Sequence, residues 1–250
     1  SRTYLAWIAA IDGRIDEAQS EIEDAIAASR ELALPIVTAF LGCIQVWVLY
    51  QERDYENAIH ICDDYIELCK ENGFPFWLSA FEMVRGWAGV MAGEGRSAVE
   101  RAAKGLTAWK ATGASLHLCT WNGVLGNAAL AFGDLELAET AALEGLGASQ
   151  RFGDRFLLTD VLLVKAQVEH KRGNTSAAIA TLEDCLQLAT QQGVRMMQSK
   201  AMRLIAAFST DPEKQERMLA KSEEIDQQLS REAQHFRPGQ AEKPSAQTRA

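Results

Sequence analysis

The sequence predicts an all-α fold, a right-handed α-solenoid built from tandem 40-residue helical hairpins. Three observations lead there. Alanine recurs at a fixed interval, at Ala18, Ala58, Ala98, Ala138 and Ala178, with no slip in register. A turn residue stands five places before each alanine (Gly13, Arg53, Gly93, Gly133, Gly173), and a second stands fifteen places after it (Ala33, Gly73, Gly113, Gly153, Gly193). No stretch shows the alternation of a β-strand. Self-similarity at one period along the whole chain is the signature of a solenoid.

Each period divides into helix A, a turn, helix B and a second turn. Helix A is expected near 1–11, 36–51, 75–91, 115–131, 155–171 and 195–209, and helix B near 15–31, 55–71, 95–111, 135–151 and 175–191. The first turn column reverses A into B, because glycine enters left-handed backbone conformations cheaply. The second ends helix B in the same way. Pro35 and Pro75 then stand where a new helix starts and a fixed φ is tolerated. Twelve places before the alanines lie Ala6, Val46, Gly86, Gly126 and Ala166, continued by Ala206. Such small side chains allow paired helices to approach to about 8–10 Å. Ile26, Ile66, Leu106, Leu146 and Leu186 fill the space between one hairpin and the next.

After the last A helix, Asp211 offers an N-cap and Pro212 a first helical residue. The narrow apolar stripe of Met218, Leu219, Ile225 and Leu229 suits a terminal helix that covers the open end of the stack. From Arg237 the chain is polar and contains proline, the composition of a disordered tail. The expected organisation is a repeat solenoid over 1–209, a capping helix over 210–235 and a tail over 236–250.

Composition narrows the function. The chain has 250 residues, 48% of them hydrophobic, enough for a core of this size. A formal net charge of −9 argues against a nucleic-acid partner, since it leaves little to neutralise phosphates. No apolar run has the length of a membrane span, and no signal segment opens the chain. The five cysteines are odd in number, scattered and without CxxC, which fits free thiols in a reducing cytoplasm. Ser1 is followed almost at once by an apolar stretch, so the chain reads as part of a longer protein. No P-loop, GxSxG or HExxH occurs. His60, His117, His170 and His235 fall in different repeats with no ligand spacing, and His117 and Cys119 lie two apart on a helix and point away from each other. No catalytic residue, metal site or cofactor is expected.

Within "LGNAALAFGDLELAETAALEGL", a small residue is followed seven places on by Gly-Asp and five places later by alanine. This resembles the tetratricopeptide repeat, lengthened from its usual unit of about 34 residues. Farther back, "GFPFWLSAFEMVRGWAGVMAGEGRSAVERAAKGLTAWKATGASL" is similar to the C-terminal repeat region of large bacterial signalling proteins. Those proteins carry an ATPase module behind a nucleotide cyclase or a DNA-binding regulatory domain. "LQLATQQGVRMMQSKAMRLIAAF" also resembles their closing repeats, whereas "FLLTDVLLVKAQVEHKRG" departs from them. The resemblance implies a tetratricopeptide-like superhelix, with upstream catalytic or DNA-binding parts that this chain does not contain.

The resemblance also implies that the A helices line the concave surface. Trp7, Trp47 and Trp87 recur in one column, continued by Asn127 and Gln167, with Tyr50, Met83, Val90 and His170 at nearby helical phases. These nine residues form a candidate groove for an extended peptide or helix; alternatively, the tryptophans pack between adjacent A helices. The leading expectation is a non-catalytic interaction and regulatory scaffold that binds a protein, a peptide or its own upstream domain along the concave face, with pairing of two copies through the stack ends a further option. The alternative is a small-molecule sensor whose solenoid closes on a metabolite, although no compact polar cluster stands out to build such a pocket.

Overall fold

The computed structural model describes residues 2–235, so the segment expected to form the tail lies outside the described residues. Twelve helices follow one another, with no strand among the described residues: α1 (Arg2–Asp12), α2 (Ile15–Glu31), α3 (Pro35–Glu52), α4 (Tyr55–Asn72), α5 (Pro75–Met91), α6 (Arg96–Ala111), α7 (Leu118–Phe132), α8 (Leu135–Phe152), α9 (Leu158–Lys171), α10 (Thr175–Gln192), α11 (Arg195–Phe208) and α12 (Pro212–His235). They pair as six hairpins in a helical-repeat solenoid.

Both turn columns take positive φ throughout. Two positions do so without glycine, Arg53 at 62° and Ala33 at 49°. Asp54 and Asp134 cap the helices that follow them, accepting hydrogen bonds from the backbone N–H of Asn57 (3.1 Å) and Leu137 (3.0 Å). Asp211 caps α12 through Glu213 N–H at 3.0 Å. Two starts differ from expectation. α7 and α9 begin at Leu118 and Leu158 rather than near 115 and 155. Where Pro35 and Pro75 open α3 and α5 directly, these repeats have Ser115 and Arg155, and the chain makes one more turn with His117 (φ 57°) and Leu157 (φ 49°) in the left-handed region. His117 therefore precedes the helix instead of lying on it.

The repeating alanines are buried, at 2% exposure or less. Backbone meets backbone closely at Gly86, where a Cβ would lie 2.4 Å from the backbone nitrogen of Ala102 and 2.7 Å from the carbonyl oxygen of Ala98. Each A helix touches the next, from α1 through α3, α5, α7 and α9 to α11, and α11 returns to α1 while α12 reaches α2. The stack thus closes into one turn of a spiral. The closing contact is offset, because Asp12 at the C-terminal end of α1 meets Arg195 at the N-terminal end of α11. Arg195 donates to both carboxylate oxygens of Asp12 (2.9 and 2.6 Å) and to both of Glu232 on α12 (2.7 and 2.8 Å). Leu229 of α12 packs against Gly13.

Inside the spiral, aromatic rings link helices that are not neighbours in sequence. Trp47 of α3 lies 4.8 Å between centroids from Trp121 of α7, and Trp7 of α1 lies 4.8 Å from Phe156, just before α9. The inner walls meet across the axis.

Replacing Gly86 by alanine drives a methyl into the backbone of α6, and urea denaturation is expected to show a loss of about 1–3 kcal/mol or more. Gly147, in the middle of α8 with nothing near the site of a Cβ, is the control. Gly147→Ala is expected to gain about 0.5–1 kcal/mol.

Candidate functional site: an axial cavity

A cavity of about 580 Å³ lies between α3, α5, α7, α9 and α11, toward the C-terminal ends of the first three. Trp87, Met91, Leu130, Leu163 and Leu204 supply its apolar wall. Tyr50, Asn127, Gln167 and Asp160 supply neutral and acidic groups, and Arg53, Lys171, Lys200 and Arg203 supply cations.

The polar groups are held from different helices. Asn127 on α7 donates to the Tyr50 hydroxyl on α3 at 2.9 Å and to the Gly123 carbonyl at 3.0 Å. Gln167 donates to the Leu163 carbonyl at 3.1 Å. Arg203 is held by Asp226 of α12. Arg53 reaches the site from a left-handed backbone position, where the equivalent turns carry glycine and no side chain.

Asp160 is the unusual member. It is 6% exposed, and its Oδ2 is buried with no hydrogen-bond partner. Burial pushes its carboxyl up to about 6, against the pull of Lys200 and Arg53. Burial likewise lowers the Lys200 ammonium, while Asp160 opposes that shift. Tyr50 is pushed well above its usual value, first by burial and then by the Asp160 charge. These groups sense one another, yet among the described residues no ion pair joins Asp160 to Lys200. Their register is the same: counting by the repeat gives Phe40, Ala80, Thr120, Asp160 and Lys200, so the pair stands side by side on consecutive A helices.

The nine residues singled out from sequence are distributed unevenly. Tyr50, Trp87, Asn127 and Gln167 line the cavity. Trp47 and Met83 are sealed in the core at 1% and 0% exposure, so for them packing, not an open groove, is the arrangement found. Val90 is nearly buried. Trp7 is half-buried against Trp47, Phe156 and His117. His170 lies apart, stacked on Phe208 at 3.8 Å with its Nδ1 3.1 Å from the Thr175 hydroxyl. The expected absence of a compact polar cluster is corrected by Arg53, Asp160 and the α11 pair Lys200 and Arg203, which come from three separate stretches of the sequence and line one cavity. One sign of them is legible, the break in the glycine column at Arg53.

Other reactive side chains do not assemble. All five cysteines are free and buried, and burial pushes Cys43, Cys119 and Cys185 up to about 12. Among the described residues no group of three or more His, Cys, Asp and Glu is placed to hold a metal ion.

No protein-family model matches the chain, and no curated protein matches it. Solved structures do. The apo form of RapI superimposes with a TM-score of 0.62 at 15% identity, covering 92% of this chain and 82% of that one. BtubC (BKLC) from P. vanneervenii superimposes with a TM-score of 0.58 at 16% identity, covering 94% and 98%. At these identities the likeness is one of fold, a helical-repeat solenoid.

Because Trp47 is core and Gln167 faces the cavity, their truncations separate. Trp47→Ala is expected to cost about 3–5 kcal/mol in urea denaturation. Gln167→Ala is expected to stay within about 0.5 kcal/mol of wild type.

Proposed function

We propose that this chain is a non-catalytic regulatory module that takes a ligand in its axial cavity and passes the binding event to a protein partner or to an upstream domain. The observation that carries the reading is Asp160, a buried carboxylate with an unpartnered oxygen beside a cavity walled by five helices. Leaving a charge in this state costs stability, and such groups concentrate at binding and functional sites. The cavity volume lies in the range of small-molecule sites. This favours ligand capture inside a closed solenoid over an extended peptide laid along an open concave groove. The cysteines, all buried and held as thiols, take no part in the cavity.

A second surface supports the macromolecular side of the proposal. Tyr4, Leu5 and Ile8 form an apolar stripe on α1 that is more than half exposed, and a partner or upstream domain seats there. The resemblance in sequence supports a setting in a large bacterial signalling protein of the cytoplasm, with a solenoid over 1–209 and a cap over 210–235. No described helix is long and apolar enough to cross a membrane.

Asp160→Asn tests this. The folded carboxyl titrates at about 6 against 3.8 for the free group, so the native state holds its proton more tightly than the unfolded chain. Its contribution to stability is full below about pH 4 and is lost as pH rises through about 6, a span of about 3 kcal/mol. The advantage of the asparagine variant over wild type is therefore expected to grow between these pH values and then level off in urea denaturation. A small-molecule extract of the source cells should raise the melting temperature of wild type and leave the more stable variant unmoved. An equal shift in both, or in neither, contradicts the cavity as the ligand site.

A further inference from the structure

The charges around the cavity restrict what it can hold. Four cations line it against one carboxylate, in a chain whose overall charge is −9. Arg203 is already neutralised by Asp226, whereas Lys200 and Asp160 stand in one register on neighbouring helices and are joined by no ion pair. A ligand that is only an acid meets Lys200 and Arg53 well but sets its charge against Asp160. One that is only an amine meets Asp160 well but sets its charge against Lys200 and Arg53. Each leaves a desolvated charge opposed, which is the costly outcome at low dielectric. A molecule carrying an acid group and a hydrogen-bond donor on adjacent atoms satisfies both sides. Trp87, Met91, Leu130, Leu163 and Leu204 add apolar contact to the same cavity. The volume of about 580 Å³ suits a small molecule rather than a polymer segment.

We infer that the axial cavity recognises a small amino or hydroxy acid with an apolar side chain, Lys200 and Arg53 taking the acid group and the Asp160 carboxylate at the cavity wall taking the adjacent amino or hydroxyl donor. This rests on the reading of the cavity as a ligand site and adds to it the chemical class. Arg53 has the reach for this role because its side chain projects from a turn where the other repeats have glycine. Asp160 acts as the discriminating group, since it separates acids that carry a donor from those that do not.

The test is calorimetric titration of the full chain with four probes that share one apolar group: phenylalanine, 3-phenyllactate, 3-phenylpropionate and phenethylamine. Phenylalanine and phenyllactate are expected to bind. Phenylpropionate, which lacks the donor, and phenethylamine, which lacks the acid, should bind at least about tenfold more weakly, the worth of one charge-assisted hydrogen bond. Asp160→Asn should bring phenylalanine down to the level of phenylpropionate. Lys200→Gln should weaken every acid by about tenfold or more, with circular dichroism confirming that both variants fold. Phenylpropionate binding as tightly as phenylalanine overturns the inference, as does an order of affinities that Asp160→Asn leaves unchanged. Binding of phenethylamine alone overturns the acid assignment while keeping the cavity as a site. Failure of all four probes overturns the inference, and the extract experiment on wild type and Asp160→Asn then shows whether the cavity reading falls with it.

Discussion

Close approach of neighbouring helices along the small-residue column of the A helices is the constraint on which this structure depends. Where the A helices carry Ala6, Val46, Gly86, Gly126, Ala166 and Ala206, their neighbours come near enough that, at Gly86, even a methyl group has no room. A hairpin that is narrow along one line and filled by Ile26, Ile66 or Leu106 along another is a wedge, and six wedges in one register curve. The curvature is tight enough for α11 to come back to α1. Asp12, Arg195 and Glu232 then lock an end that an open stack would leave exposed. Burial opposes ionisation of Asp12, but Arg195 and Arg14 hold its carboxyl below the usual range, which is the signature of a pair worth keeping charged.

Closure changes what the inner surface does. By sequence alone, the indoles of Trp7, Trp47 and Trp87 either line a groove or pack between adjacent A helices. Here the inner walls meet, and the tryptophans divide among three duties. Trp47 packs on Trp121 across the axis, Trp7 bridges to Phe156, and Trp87 forms part of the cavity wall. The same geometry gathers Arg53, Asp160 and Lys200, which belong to three different repeats, around one cavity. The apolar packing and the polar site are two consequences of one curvature.

The fold was legible because each repeat states its turns twice. The glycine columns at Gly13 and Gly73 mark backbone that must turn left-handed, and even their exceptions, Arg53 and Ala33, adopt the same φ sign. Helix starts were less legible at 118 and 158, where the absence of proline leaves room for an extra turn. The site was legible only in part. Asn127 and Gln167 were found by following the tryptophan column, but that column alone does not say whether a residue faces a groove or a neighbouring helix, and for Trp47 it is the neighbour. Asp160 and Lys200 occupy another column, whose earlier members are the uncharged Phe40, Ala80 and Thr120. A charge in that position carries meaning only once closure is known, because curvature is a property of the sum of the hairpins and not of any one.

Solution X-ray scattering tests the closed spiral most directly, by comparing wild type with Arg195→Glu at low and high salt. The wild-type profile is expected to fit the closed spiral. The charge-reversed variant is expected to have a larger radius of gyration at low salt, where repulsion from Asp12 and Glu232 is least screened. A wild-type profile that fits only an open superhelix would rule out closure, as would a variant that scatters identically under both conditions.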